Sequence, residues 1–184
     1  GARLLNAILG VAMVVIAARW MGAPEYGVAG VVLLDVTVVA MANDFFGGSS
    51  LVFFTSRMGV WRLMLPAYIW AVVVVVAALL AGLFLSWFPE IYAAVVPLGY
   101  GWQILGLSLL VSWAGIHQNL LLGNEQVAAY NRVFSLQVTV QFGALMLLLF
   151  VANLRDARAW VGAMAAGYGV SWLAGMWATR QLVR

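Results

Sequence analysis

The sequence contains no cysteine and no lysine, and its only histidine is His117. The absence of cysteine excludes disulfides, thiol catalysis and cysteine-based metal sites. Charged residues make up only 8% of the chain, whereas a soluble domain carries about 25%. No basic patch with interleaved aromatic residues occurs, so the nine arginines indicate membrane topology rather than nucleic-acid binding.

Long apolar runs fill the chain instead. Residues 63–85 form a stretch of 23 without a charge. As a helix this stretch is about 34 Å long, enough to cross a hydrocarbon core of roughly 30 Å. The valines at 72–76 favour strands in soluble proteins, but an isolated strand in lipid leaves its backbone groups unpaired. With 66% hydrophobic residues and a mean hydropathy of +1.04, the whole chain predicts a multi-pass membrane protein.

Six such runs predict an all-α fold, a bundle of six transmembrane helices. The predicted spans cover residues 4–21, 26–43, 63–85, 98–122, 133–152 and 159–179. Gly167, Ser171 and Gly175 form a row of small residues along the sixth span, which is typical of close helix contact. Six arginines fall on the side of the two chain ends and three on the other side. The positive-inside rule then places both ends in the cytoplasm.

Asp35 lies near the middle of the second span. A carboxylate at the centre of a membrane helix costs about 2.5–3.5 kcal/mol, which the surrounding valines and leucines roughly offset at about 0.3–0.6 kcal/mol each. We therefore expect Asp35 to face protein or water. It is a candidate for binding a coupling cation, a proton or sugar hydroxyls. The alternative is a structural pairing with a Gln, Asn or His of another helix.

His117, Gln118 and Asn119 form a polar triplet near the predicted cytoplasmic end of the fourth span. By helical spacing Asn119 shares a face with Ser108 and Ser112, so a polar stripe extends into the membrane. His117 points about 160° away from Asn119. Both are candidate substrate or ion ligands, with a hydrogen-bonded packing role as the alternative for His117. A lone histidine predicts no metal site.

Gln137 and Gln141 are four residues apart on the fifth span and share one face. Their amides suit sugar hydroxyls because each offers donors and an acceptor, and hydrogen bonds between helices are the alternative. Arg57, Arg62 and Arg132 fall at the predicted cytoplasmic edge. They are candidate contacts for an anionic lipid headgroup, although topology alone also explains them.

The stretch 18–57 carries a family resemblance. A turn, Gly22-Ala23-Pro24-Glu25-Tyr26-Gly27, follows the first span, and Gly47, Gly48 and Arg57 follow the second. This pattern resembles the start of the polysaccharide flippases, the O-antigen and exopolysaccharide exporters of the multidrug/oligosaccharidyl-lipid/polysaccharide superfamily. Their G-P-x-x-Y-G-like turn has one inserted residue here. The spacing of the six spans is similar to the first half of such a protein.

The resemblance implies a transporter of 12 to 14 helices in two six-helix lobes, related by a pseudo-two-fold axis along the membrane normal. It implies an oligosaccharide on an undecaprenyl pyrophosphate carrier as cargo, moved across the bacterial inner (cytoplasmic) membrane by alternating access. We expect this chain to be the N-terminal lobe, with its start and the second lobe missing. No arginine lies in mid-membrane, whereas flippase cavities are typically basic, so the anion site is expected at the membrane edge or in the other lobe.

An ion-coupled drug or metabolite exporter of the same superfamily is the alternative function, because a mid-membrane acid fits both. A structural or assembly subunit is a third possibility. An intramembrane enzyme is not expected: Ser112 and His117 lie roughly 140° apart around one helix, and no motif of a hydrolase or metalloprotease is present. We expect no cofactor.

Overall fold

The computed structural model describes residues 2–55 and 58–182, and within these ranges every regular element is helical. The helices are α1 (Ala2–Met21), α2 (Ala23–Asn43), α3 (Ser49–Phe54), α4 (Val60–Leu85), α5 (Pro89–Val95), α6 (Gly101–Gly123), α7 (Val127–Met146) and α8 (Ala157–Gln181). A π-helical turn, Asp44–Gly48, joins α2 to α3, and a second, Leu147–Val151, extends α7. The predicted all-α class is confirmed.

Five of the described helices are long and apolar enough to cross a bilayer: α1, α2, α4, α6 and the continuous helix Val127–Val151. This is the pattern of a multi-pass membrane protein. Helix α8 has sufficient length, at 25 residues, but is less apolar. The count of six spans therefore stays a prediction.

The lower hydropathy of α8 follows from its position in the bundle. It packs along α7 and α6 and also touches α2, so protein rather than lipid covers much of it. Its buried residues are mainly small or polar, as helix contact in a membrane favours. A Cβ added to Gly167 would lie 2.8 Å from the Gln141 Cβ, and one added to Gly175 would lie 2.7 Å from the His117 Cβ. The row of small residues is thus where α8 meets both neighbours.

Helix α4, in contrast to α8, is mostly not covered by the rest of the protein. Only 6% of its most apolar window is buried inside the protein, against 50% of the α6 window. It rests on α6 and α2 along one narrow face that includes Ala67 and Ala71. The remaining surface is exposed and, beyond the first turn with Trp61 and Arg62, apolar, which suits lipid. Helix α4 is therefore a peripheral helix that few buried side chains fix in place.

Helix α1 sits against α7 and α2. Its contact face consists of Asn6, Met13, Ala17 and Met21, which recur at helical spacing. The Asn6 side-chain nitrogen donates to the Ser135 hydroxyl of α7 at 3.2 Å. In the described part of the chain, this hydrogen bond and a narrow apolar stripe hold α1 against its neighbours.

The turns carry the residues that the backbone requires. Gly22, with φ +80°, separates α1 from α2, a conformation that favours glycine. Pro24 stands in the first turn of α2, where its missing N–H costs nothing. For this reason α2 begins at Ala23, three residues before the predicted start at 26. The connection between the third and fourth predicted spans contains the short helix α5, and Arg57 lies outside the described residues.

Candidate functional site: polar groups inside the helix bundle

Asp35 is half-buried on α2, beside the buried residues Val32 and Val36. Its carboxylate oxygen Oδ2 is buried and has no hydrogen-bond partner among the described residues. Among the described residues, Asp35 therefore does not form the alternative structural pairing with an amide or with His117. Within the described ranges, Asp35 is thus an acid without a partner near the middle of its helix.

Two hydroxyls on α6 share this property. Ser108 and Ser112 are one turn apart, both are buried, and neither hydroxyl has a partner in the described part of the chain. Helix α6 packs directly against α2, the helix that carries Asp35. Asn43, at the end of α2, is also buried and its side-chain oxygen is unpaired within the same ranges. The α2–α6 pair thus concentrates buried polar atoms that the described protein atoms leave unsatisfied.

Asn119 continues the Ser108–Ser112 face of α6 by helical spacing and is partly buried. Gln141 is also partly buried, and its Cβ lies against Gly167 of α8. Neither amide forms a side-chain hydrogen bond with another described residue. These two candidates are available for a ligand, although the structure does not bring Gln141 into the same network as Gln137.

His117 is fully buried, and both of its ring nitrogens are occupied. Nε2 lies 2.6 Å from the Tyr68 hydroxyl of α4, and Nδ1 lies 3.0 Å from the Thr179 hydroxyl of α8. The Thr179 hydroxyl donates to the Gly175 carbonyl at 2.9 Å. Nδ1 must then carry the proton that Thr179 accepts, which leaves Nε2 to accept from Tyr68. In this arrangement His117 has no free nitrogen for a ligand.

The Tyr68 hydroxyl also accepts a hydrogen bond from Trp172 Nε1 at 2.8 Å. Trp113 packs between these two rings, with centroids 5.4 Å from each. We call Tyr68, His117, Trp172 and Thr179 the α4–α6–α8 clamp. Sequence reasoning missed it, because Tyr68 stands in a largely apolar span and its hydrogen-bond partners lie far away in the sequence, on α6 and α8.

Gln137 is buried and engaged with α6. Its side-chain oxygen accepts from Gln118 Nε2 at 3.0 Å, and the same Gln118 nitrogen donates to the Ser171 hydroxyl of α8 at 3.0 Å. One amide on α6 therefore ties α7 and α8 together. In this conformation Gln137 acts as a helix contact, with its oxygen already bonded.

Arg62 and Arg132 are exposed and form no ion pair with a described residue. Their guanidinium groups are thus free for an anionic headgroup. Arg57, the third candidate, belongs to the segment that the structure does not describe. Residues 2–55 and 58–182 contain no group of three or more His, Asp or Glu side chains that could hold a metal ion.

The opposite end of the bundle contains a second polar cluster. Glu25, in the first turn of α2, accepts a hydrogen bond from the backbone nitrogen of Ala157 at 3.0 Å. Asp156 caps the start of α8 by accepting a hydrogen bond from the backbone nitrogen of Arg158. Burial, together with the charges of Asp156 and Glu25, raises the pKa of Tyr100 above its usual value. Glu25 thus links the first turn of the chain to the start of α8, a role that its sequence position did not reveal.

An open groove of about 560 Å³ lies on α1. Its lining is entirely aliphatic: Ala7, Ile8, Val11, Ala12, Val15 and Ile16. A sugar or an ion has nothing to bind there, whereas a lipid chain fits. The groove therefore shares no lining residue with the candidate polar groups on α2 and α6.

Comparison of the chain with protein-family models, with curated proteins and with solved structures found no match.

Proposed function

We propose that this chain is a lobe of a membrane transporter that flips an undecaprenyl-pyrophosphate-linked oligosaccharide across the bacterial inner membrane by alternating access. The observation that carries the transport proposal is the set of unpaired polar atoms on α2 and α6: Asp35 Oδ2 and the hydroxyls of Ser108 and Ser112. The choice of cargo comes from the resemblance of the 18–57 stretch to polysaccharide flippases.

An unpaired buried polar group costs about 1–3 kcal/mol. Elsewhere in the bundle, His117, Gln118 and Gln137 all have partners. Most of the buried side-chain atoms that lack a partner among the described residues lie on α2 and α6, although Asn6 Oδ1 on α1 and Trp160 Nε1 on α8 also lack one there. Ionisable groups within membrane helices are by default functional. A carboxylate on α2, with unpaired hydroxyls and an amide on the adjacent helix α6, offers the acceptors and donors that sugar hydroxyls require.

The pyrophosphate needs positive charge, which the spans lack. Arg62 and Arg132 are exposed and unpaired with any described acid, at the end that the arginine bias assigns to the cytoplasm. They suit the entry of an anionic headgroup from the inner leaflet. In this proposal they receive the carrier while the α2–α6 groups contact the sugar.

The alternative is an ion-coupled exporter of drugs or metabolites, which the carboxylate of Asp35 favours. An unpaired acid at mid-helix can exchange a proton or hold a cation during transport. Both functions need Asp35, so loss of transport in an Asp35 variant does not distinguish them. The cargo must be tested directly.

The test uses the complete protein in bacteria that lack their own flippase for one surface polysaccharide. We expect Asp35→Asn to reduce surface polysaccharide at least about tenfold, as loss of a charged contact predicts. Thr37→Val is the matched control, because Thr37 lies on the exposed side of α2 and bonds only to the Leu33 carbonyl. Export unchanged by Asp35→Asn, at normal membrane abundance, would refute the role of this residue.

A drug-resistance assay on the same strains separates the two cargo classes. The flippase proposal predicts restored surface polysaccharide with no gain in drug resistance. Drug resistance without polysaccharide would support the exporter instead. Wild-type protein that restores neither, despite correct insertion, would leave a structural subunit as the better description.

A further inference from the structure

A cleft of about 120 Å³ lies where α4 begins and α8 ends. Its walls are two helical stripes, with Trp61 and Met64 on α4 and Met176, Thr179 and Arg180 on α8, and Val60 completes the lining. The Trp172–Tyr68 hydrogen bond joins the same two helices further along. The α4–α6–α8 clamp therefore holds the walls together at one end and leaves them apart at the other.

Arg180 supplies the charge of this cleft. It is exposed, its guanidinium lies 3.8 Å from the Met176 sulfur, and it has no ion pair with any acid in the described ranges. Arg62 also lies near the start of α4, but helical spacing places it about 100° beyond Trp61, away from the cleft wall. Because α4 begins where α8 ends, the partial positive charge at the start of α4 lies beside the partial negative charge at the end of α8, and the two offset each other. Among the described residues that line the cleft, Arg180 then supplies the net charge that a ligand meets.

The surroundings of the cleft are those of a membrane edge. Trp61 is exposed and of the type that favours the headgroup level. By helical spacing, Leu173 and Trp177 lie on the same face of α8 as Met176 and Arg180, and both are exposed. They extend an apolar surface from the cleft along α8 toward the middle of that helix. A ligand seated here meets a cation at one end and hydrocarbon-compatible surface at the other. That combination matches an amphiphile rather than a soluble ion.

We propose that this cleft binds the phosphate of an anionic phospholipid of the surrounding bilayer, with Arg180 as the cation. Its volume equals that of about four water molecules at roughly 30 Å³ each, which suits a phosphate group but not a whole lipid. The acyl chains lie outside, along Leu173 and Trp177. Basic pockets between helices on the cytoplasmic side are the usual form of such sites. The bound lipid covers the splayed ends of α4 and α8 and steadies the weakly held α4.

The test is native mass spectrometry of the purified full chain, incubated with equimolar phosphatidylglycerol and phosphatidylcholine. We expect wild-type protein to retain one phosphatidylglycerol in preference to phosphatidylcholine. Arg180→Gln should lower that retention about five- to tenfold, the loss expected for one arginine at a membrane surface. Equal retention of the two lipids by the wild-type protein would overturn the proposal.

Arg155→Gln is the charge-matched control, because Arg155 is exposed in the α7–α8 connection and its side chain bonds to Asn153. It should leave retention unchanged. An equal loss in both variants would show a general charge effect and overturn the site. Met64→Phe narrows the cleft with Arg180 intact and should also lower retention, with an unchanged elution profile as the folding check. Normal retention in Met64→Phe would contradict the cleft as the binding place.

Two competitors identify the source of the phosphate. Glycerol 1-phosphate at the same concentration should not displace the lipid, and displacement would assign the site to soluble phosphates. Undecaprenyl pyrophosphate should not displace it either, and displacement would make the cleft part of the cargo path. These outcomes are independent of the flippase proposal, which does not use Arg180.

Discussion

The imidazole of His117 and the hydroxyl of Tyr68 lie 2.6 Å apart and join the peripheral helix α4 to the bundle. The hydroxyl simultaneously accepts from Trp172, while the other imidazole nitrogen donates to Thr179. Donors and acceptors alternate along this chain, from the indole of Trp172 to the carbonyl of Gly175. Every member is paired, which fixes a neutral tautomer of His117 and the relative positions of three helices.

Replacing Tyr68 with Phe should destabilise the protein by about 1–2 kcal/mol. The change removes two interhelical hydrogen bonds, worth roughly 0.6 kcal/mol each in membrane proteins, and leaves His117 Nε2 and the Trp172 N–H unpaired. The measurement is the free energy of unfolding during denaturation from mild detergent into SDS.

Tyr130→Phe is the control for this substitution. The Tyr130 ring stacks on Phe134, and its hydroxyl forms no hydrogen bond with a described residue. Its unfolding free energy should match that of the wild type. A Tyr68→Phe protein as stable as Tyr130→Phe would mean that the clamp contributes nothing.

Gly175→Ala should force α6 and α8 apart. The added methyl group would lie 2.7 Å from the His117 Cβ, and neither backbone can yield without moving its helix. We expect a loss of about 1–3 kcal/mol, typical of overpacking. Gly169→Ala, on the same helix, places its methyl in open space and should be neutral or slightly stabilising. Thermal unfolding of both variants in one detergent checks the difference, and equal melting temperatures would contradict the close contact.

The sequence was sufficient to predict the helical class, because runs of about 20 apolar residues leave no other structure that satisfies the backbone in lipid. It also predicted the contact face of α8 from the spacing of Gly167, Ser171 and Gly175. It did not predict that α8 would pack along both α6 and α7 and also touch α2. Hydropathy measures what a helix contains, whereas enclosure depends on which helices assemble around it.

At the candidate site, too, the sequence indicated which residues need partners but not which residues those partners are. The sequence identified His117 and Gln137 as polar residues that require partners, but their partners lie 49 and 19 residues away, on other helices. Two alternatives for each residue were open until the packing was known. For Asp35 the structure provides no partner among the described residues, which composition alone does not indicate.

Glu25→Ala should weaken the junction between the first turn and α8. The Glu25 carboxylate accepts from the Ala157 nitrogen, one of the free N–H groups at the start of that helix. Loss of such a cap costs about 1 kcal/mol. Glu25→Gln keeps an acceptor oxygen and should recover part of this loss. Glu90→Ala, an exposed acid in the first turn of α5, is the control. Equal unfolding free energies for Glu25→Ala and Glu90→Ala would exclude the capping role.

Asp44→Asn should reduce the dependence of stability on pH. Asp44 follows the last residue of α2, and its carboxyl fills the space beside Gly48 that a Cβ would occupy. Burial raises the pKa of Asp44 above its usual value of 3.8. Folding therefore favours the protonated carboxyl, so its contribution is greatest below the ordinary pKa and is lost as the pH rises through the raised one. The wild-type melting temperature should fall as the pH rises above about 4, and it should fall less in Asp44→Asn. Glu90→Gln removes a carboxyl from an exposed site and should retain the wild-type slope. A slope unchanged by Asp44→Asn would show that the carboxyl titrates alike in the folded and unfolded chains.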